Sequence, residues 1–108
     1  MTNDPNVVQV NDSSFDKEVL GSELPVLVDF VATWCAPCKA MAPTIAKLAA
    51  ETAGRVKVVT VDTEESPQTA IKYGIRAVPT LLVFRNGDQT IRQLGAVSKE
   101  RLLELVRL

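Results

Sequence analysis

The sequence predicts an α/β fold, a central mixed sheet of five strands flanked by four helices. Three observations carry this reading. The chain has 108 residues, the size of one ordinary domain, so residues 1–108 are expected to form a single unit. Strand-like and helix-like segments follow in the order β α β α β α β β α, and the first half alternates as parallel crossover units do. The second half carries Asn86-Gly87 between two strand-like runs. That dipeptide is a strong hairpin signal, so parallel and antiparallel pairs must share one sheet, with helices on both faces.

The elements follow in order. Val7 to Val10 is a short β-branched run and reads as the first strand. Asp12, Ser13 and Ser14 offer N-caps to a short helix with Phe15, Val19 and Leu20 on one stripe, closed by Gly21. Pro25 introduces Val26 to Ala32, which is nearly continuously apolar, as a central strand covered on both faces should be. From Cys35 the spacing turns helical, with Ala40, Met41, Ile45, Leu48 and Ala49 recurring every three or four residues as far as Thr52. Pro43 should kink this helix, and Gly54 ends it. Val56 to Val61 reads as a strand, and Ser66-Pro67 starts a short helix that runs through Tyr73 and stops at Gly74. Thr80 to Phe84 and Ile91 to Leu94 flank the Asn86-Gly87 turn. Ser98 caps a last helix with Leu102, Leu103, Leu105 and Val106 inward.

Composition excludes several function classes. Hydrophobic residues make up 46% and charged residues 23% of the chain, a globular balance. Twelve basic residues against thirteen acidic ones leave a net charge of −1, which disfavours nucleic acid and anionic membranes as partners. There is no histidine, so His-based general bases, Ser-His and Cys-His pairs and the commonest metal ligand are ruled out. Met1 to Val10 carries Asp4 and Pro5 and lacks a basic start followed by a long apolar run. No secretory signal is therefore expected, and no apolar run approaches a membrane span. Two cysteines without an export signal suggest a reducing, cytoplasmic compartment, where such a pair is catalytic or metal-binding rather than structural.

The chemistry concentrates in Trp34-Cys35-Ala36-Pro37-Cys38, at the junction of the most apolar strand and a helix. Cysteines at i and i+3 on a first helical turn face the same side, so a disulfide can close between them. A ring that small is worth only about 2 kcal/mol of chain entropy, which suits a redox pair better than a staple. The helix N-terminus offers unpaired N–H groups and a partial positive charge to Cys35, both favouring the thiolate. Pro37 near the helix start costs no hydrogen bond. Cys38, deeper in the turn, should be more buried and stay a thiol until needed. A zinc site would need four ligands, and with no histidine and no third cysteine only a dimer or carboxylates could complete it. Two inert core cysteines would need neither the proline nor the helix start.

Asp29 is a lone acid in the apolar strand Val26–Ala32. Burial there raises its pKa and lets it hold a proton near neutrality. Six residues before Cys35, it could accept the Cys38 proton through a water; the alternative is a paired structural carboxylate. Pro79 precedes an apolar strand, where a proline is either an ordinary trans strand starter or a cis residue in a tight turn.

A C-x-x-C pair beside a βαβ pattern is a general signature of thioredoxin-like redox motifs, and this chain resembles the thioredoxin family over almost its whole length. The resemblance runs through Phe15-Asp16, Val26 to Phe30, Ala32 to Cys35, Pro37-Cys38-Lys39 and Met41-Ala42-Pro43. It continues through Lys72 to Arg76, Val78 to Leu81, Phe84, Asn86-Gly87 and Gly95-Ala96. It implies Cys35 as attacking thiolate, Cys38 as resolving thiol, Asp29 as the buried acid and Pro79 as a cis proline beside the disulfide. It further implies that Trp34, Ala36, Pro37, Val78, Gly95 and Ala96 form the apolar surface on which partner proteins dock. Three positions depart from the family's pattern. Ala36 replaces a usual glycine, within the pair of residues that tunes redox potential. Val31 replaces a usual aromatic, leaving the packing beneath the site looser or compensated. Thr60 stands where a lysine usually lies near the buried acid, so Asp29 should be harder to ionise.

The function implied is protein-disulfide reduction by dithiol–disulfide exchange. It needs no metal and no bound cofactor, only the redox-active Cys35–Cys38 disulfide. Its partners would be a thioredoxin reductase and disulfide-containing client proteins, met by a monomer. Two rivals are a docking module whose cysteines are dispensable and an oxidase or isomerase with a more oxidising pair.

Overall fold

The computed structural model describes residues 4–107; the first three residues of the Met1 to Val10 segment, in which no secretory signal is expected, lie outside them. Five strands form one sheet: β1 (Val7–Val10), β2 (Val26–Val31), β3 (Lys57–Asp62), β4 (Thr80–Arg85) and β5 (Asp88–Leu94). Their spatial order is β1-β3-β2-β4-β5. β3 lies parallel to both β1 and β2, while β4 is antiparallel to β2 and to β5. The mixed sheet therefore divides where expected, between the crossover half and the hairpin half. β2 is central, and all six of its residues are buried.

The helices are α1 (Ala36–Glu51), α2 (Pro67–Lys72) and α3 (Lys99–Leu105), preceded by a π-helical turn at Asp16–Leu20. Period-two alternation sorts the core into two layers. Leu27, Val58, Leu81 and Val83 pack against Met41, Ile45 and Leu48 of α1 and Leu102 and Leu105 of α3. Val26, Val28, Phe30, Val59, Val61, Leu82 and Phe84 face the other way, onto Phe15 and Val19. There the rings of Phe15, Tyr73 and Phe84 meet with centroids 5.3 to 5.8 Å apart, within the favoured range for aromatic pairs.

Several expectations change in detail. The first helical segment is a single π turn, closed by the Gly21 N–H donating to the Asp16 carbonyl at 2.9 Å. Gly21 is needed there, because a Cβ would lie 2.9 Å from the Lys17 carbonyl oxygen. No side chain caps this turn. Ser13 and Ser14 bond locally to Asn11, and Asp12 caps a different helix. Its carboxylate accepts the backbone N–H groups of Gln68 and Thr69 and the Thr69 hydroxyl, while Ser66, the N-cap residue of α2, makes no side-chain cap bond. Those hydrogen bonds, led by the Thr69 hydroxyl, hold the Asp12 carboxyl below the usual range.

Ala40 and Leu103 were expected inward but are exposed. Each lies beyond the edge of its helix's buried stripe, which is already filled by Met41, Ile45 and Leu48, or by Leu102 and Leu105. Helix α1 runs through Pro43 to Glu51; Pro43 is exposed, so the carbonyl deprived of its N–H partner lies on the solvent side, where water can serve it. The Asn86-Gly87 turn has positive φ at both residues, 52° and 83°, as a type I′ turn requires. β5 begins at Asp88, three residues before the expected start. Asp88, Gln89 and Thr90 are exposed and carry no hydrophobic period, yet the tight turn pairs them with β4 regardless.

Candidate active site

β2 ends at Val31 and α1 begins at Ala36, so the crossover turn delivers Cys35 to the helix N-cap. Cys35 has extended backbone, and its Sγ accepts the Cys38 N–H at 3.1 Å. Pro37 lies within the first two helical positions, where a missing N–H costs nothing. The first turn of α1 contains no acidic residue, so nothing on it offsets the positive end of the helix dipole beside Cys35. The two cysteines are joined in a disulfide, with Cα atoms 5.3 Å apart. The expected contrast in burial is small, 3% exposure for Cys35 and 1% for Cys38. Cys35 is covered because both sulfurs sit in one cluster with Val31 and Ala32, against which Val78 packs. Val31 is thus buried within the site despite its small size.

The turn before β4 closes the other side. The Val78–Pro79 peptide is cis, and the Val78 carbonyl oxygen lies 3.6 Å from Cys35 Sγ. Thr80 donates its hydroxyl to the Ala77 carbonyl at 2.6 Å. Gly95 donates its backbone N–H to the Pro79 carbonyl at 2.9 Å, which brings Gly95 and Ala96 beside the proline. The Arg92 guanidinium donates to the carbonyls of Tyr73 and Gly74, tying β5 to the start of the same turn. Pattern alone gave no sign of that arginine, since a lone cation on a polar strand reads as solvated.

Around the disulfide the surface is apolar. Trp34 is 70% exposed, Ala36, Pro37 and Ala96 are exposed, and Val78 and Gly95 are half-buried. On one side a groove of about 400 Å³ joins Pro37 to Ala96 and Val97 over Ala40, Met41 and Thr44. A smaller hollow of about 120 Å³ lies between Trp34, Thr63 and the Ile75–Val78 segment, including Arg76. Sequence reasoning missed Ala40, Thr44, Arg76 and Val97 as lining residues. A further depression, lined by Thr52, Arg55, Val56, Leu103, Val106 and Arg107, lies by the C-terminal end of α1 and holds neither cysteine.

Asp29 occupies the middle of β2 at 2% exposure. It shares a face with Leu27, which packs under α1, and with Val31, which packs against the cysteines. Burial pushes its carboxyl up to about 8, the direction expected for an acid with no cation beside it. Among the described residues its Oδ1 has no hydrogen-bond partner and the ion pairs do not include it, so the paired structural carboxylate finds no partner here.

Two cysteines at a helix start, joined in a disulfide and with one sulfur accepting a backbone N–H, have the chemistry of a two-electron dithiol–disulfide couple. A family model described as thioredoxin matches residues 6–107. The chain belongs to the thioredoxin family. It is 56% identical to the chloroplastic M-type thioredoxin of Pisum sativum, over 94% of this chain and 59% of that protein. It is 50% identical to thioredoxin 1 of a Nostoc strain, over 87% and 88% of the two chains. It is 48% identical to the thioredoxin of Rickettsia conorii, over 90% and 92%. The chain spans under two thirds of the pea protein but most of the two bacterial ones. As a thioredoxin it is a dithiol–disulfide exchange reductase of protein disulfides, and the family implies exchange with a thioredoxin reductase and with disulfide-bearing clients. No helix among the described residues is long and apolar enough to cross a membrane.

Proposed function

We propose that this thioredoxin reduces its clients with Cys35 as the attacking thiolate and Cys38 as the resolving thiol. The carrying observation is the N-cap position of Cys35, whose Sγ already accepts the Cys38 N–H. That bond and the dipole favour negative charge on Cys35 rather than on Cys38. The Cys35 thiolate attacks one client sulfur, forms a mixed disulfide and expels the other client sulfur as a thiolate. Asp29, as carboxylate, takes the Cys38 proton. The Cys38 thiolate then attacks Cys35 Sγ, the bond to the client breaks, and the client leaves as a second thiolate that takes up a proton. Two electrons have passed to the client, and the Cys35–Cys38 disulfide returns to a reductase.

The client lies across Trp34, Ala36, Pro37, Val78, Gly95 and Ala96, held against Pro79. Residues 1–108 act as one domain, a monomer with no bound metal or cofactor and no nucleic-acid or membrane partner, working in the cytoplasm. Identity to bacterial thioredoxins supports that compartment; identity to a chloroplastic M-type protein supports a plastid-type stroma as the second reading.

Replacing Cys38 by serine is expected to stop the cycle half-way. C38S, mixed with a disulfide-containing protein, should accumulate a mixed disulfide through Cys35 that dithiothreitol releases. The measurement is non-reducing electrophoresis with mass mapping of the cross-linked peptide. Adducts through Cys38 in the complementary C35S variant, and none in C38S, would reverse the assignment.

A further inference from the structure

One row of the sheet places Gln9, Thr60, Asp29, Leu81 and Gln93 side by side across the five strands. Thr60 is the direct register partner of Asp29. Both residues are buried, at 3% and 2% exposure, and both belong to the sheet face that packs under α1, by their alternation with Val58 and Leu27. Among the described residues, buried side-chain oxygens without a hydrogen-bond partner occur at Asp29, Thr60 and Ser66. Two of the three are therefore neighbours in a single strand pair.

Other buried threonines behave differently. Thr52 donates to the Leu48 carbonyl, Thr69 to Asp12 and Thr80 to the Ala77 carbonyl. A buried hydroxyl left idle costs free energy, and idle ones are few in native structures. As they stand the two do not bond each other; an idle hydroxyl beside an idle carboxyl oxygen is accounted for when the hydroxyl turns to donate to that carboxyl once it ionises.

The groups facing Asp29 can be named element by element. From β4 comes Leu81. From α1 come Cys38 and Met41, in the clusters on either side of Asp29. On β3, Asp62 lies one pleat beyond Thr60, and its Oδ1 accepts the N–H groups of Glu64 and Glu65. On β1, beyond Thr60, lies the exposed Gln9. Lys57 alternates onto the opposite face and pairs with Glu18; Arg85, at the far end of β4, donates to the Arg107 carbonyl. Lys39 and Lys47 of α1 are exposed. No cation is thus placed to stabilise an ionised Asp29 among the described residues, and the Thr60 hydroxyl is the donor that register brings nearest.

We infer that Thr60 is a positioning residue for the resolving step, its hydroxyl donating to the Asp29 carboxylate across the β2–β3 pair so that the carboxylate is held ready for the Cys38 proton. The inference rests on the proposed role of Asp29. Thr60 touches no reacting sulfur and acts through Asp29 alone. It balances simply: the proton moves from Cys38 Sγ to Asp29, and the Thr60 O–H bond is kept throughout.

The test is Thr60→Val, which keeps the shape and suits a strand while removing the hydroxyl, with Thr60→Ser as the rescue. In the reduced protein, the Asp29 carboxyl is titrated by carbon-13 NMR. Losing a hydrogen bond to a charged group should move its midpoint up by about one pH unit. In rapid-mixing experiments the pH profile of mixed-disulfide resolution should move the same way, with a several-fold loss at pH 7 that T60S restores. In an Asp29→Asn background, T60V should slow resolution no further. Unchanged titration and pH profile in T60V, or an equal slowing of the Asp29→Asn protein, would overturn the inference. If Asp29→Asn alone leaves resolution unaffected, the role of Asp29 itself falls. If T60V does not fold, T60S against wild type, read by the same titration, decides: a hydroxyl that keeps the midpoint supports the role, and a shift equal to that of Thr60→Ala contradicts it.

Discussion

Cys35→Ser abolishes disulfide reduction and leaves the fold intact. Serine at the helix N-cap keeps an oxygen that accepts the Cys38 N–H, and serine is among the favoured N-cap residues. The hydroxyl does not form or break an S–S bond, so turnover stops rather than slows. Stability of the oxidised protein falls only by the modest contribution of a four-residue ring, about 2 kcal/mol; the reduced protein is hardly affected. Turnover is measured with a protein disulfide as substrate and dithiothreitol as electron source, and stability by urea unfolding. The same variant separates catalysis from docking. The apolar surface around Trp34, Pro37 and Ala96 is untouched, so non-covalent client binding should persist. Retained turnover in C35S would mean that the Cys35–Cys38 pair is not the working couple.

Asp29→Asn is expected to stabilise the protein strongly near neutral pH. In the unfolded chain Asp29 ionises near its ordinary value of 3.8, while burial moves it to about 8 in the folded protein. Between those values the unfolded state has released a proton that the folded state still holds. Stability therefore falls as pH rises through this window, by about 1.4 kcal/mol per unit, and the whole cost is present above about 8. Asparagine does not ionise, so the variant escapes this cost. Its advantage should be on the order of 4 kcal/mol at pH 7 and should vanish below pH 4. Urea unfolding of both proteins at pH 4, 6 and 8 measures it. A difference that does not grow with pH would show that Asp29 is not the destabilising acid. The gain is set against function: without the carboxylate, Cys38 must ionise unaided, and resolution at pH 7 should slow by about tenfold. An acid kept where it weakens the fold fits a residue retained for chemistry.

The sequence made much of this legible because local rules and tertiary demands agree. The apolar run Val26–Val31 is buried on both faces, Asn86-Gly87 makes the expected turn, and Ser98 caps α3 through the Arg101 N–H. Cys35, Cys38 and the apolar residues around them are brought together as their motif implies. Asp12 shows where such reasoning stops. It sits before a helical segment and looks like its cap, yet it caps α2, more than fifty residues away in sequence. Local pattern holds no information about which helix end folds back onto a loop. Arg92 and the first half of β5 were hidden for a related reason: polar, exposed residues carry no period, although their backbone pairing and long-range carbonyl contacts are specific. Thr60 was legible, through the family resemblance, as the residue standing in place of a lysine near the buried acid. That it lies beside a buried carboxyl, with its own hydroxyl unpartnered, emerges from the register of β2 against β3 and from the burial of both.

The equilibrium reduction potential of the Cys35–Cys38 couple against a glutathione buffer decides whether it works as a reductant of protein disulfides. A value below the cytosolic glutathione poise of about −220 to −260 mV is expected. A value at or above about −180 to −210 mV, the poise of the endoplasmic reticulum, would contradict it. Ala36 and its surroundings would then have made this thioredoxin an oxidant or isomerase.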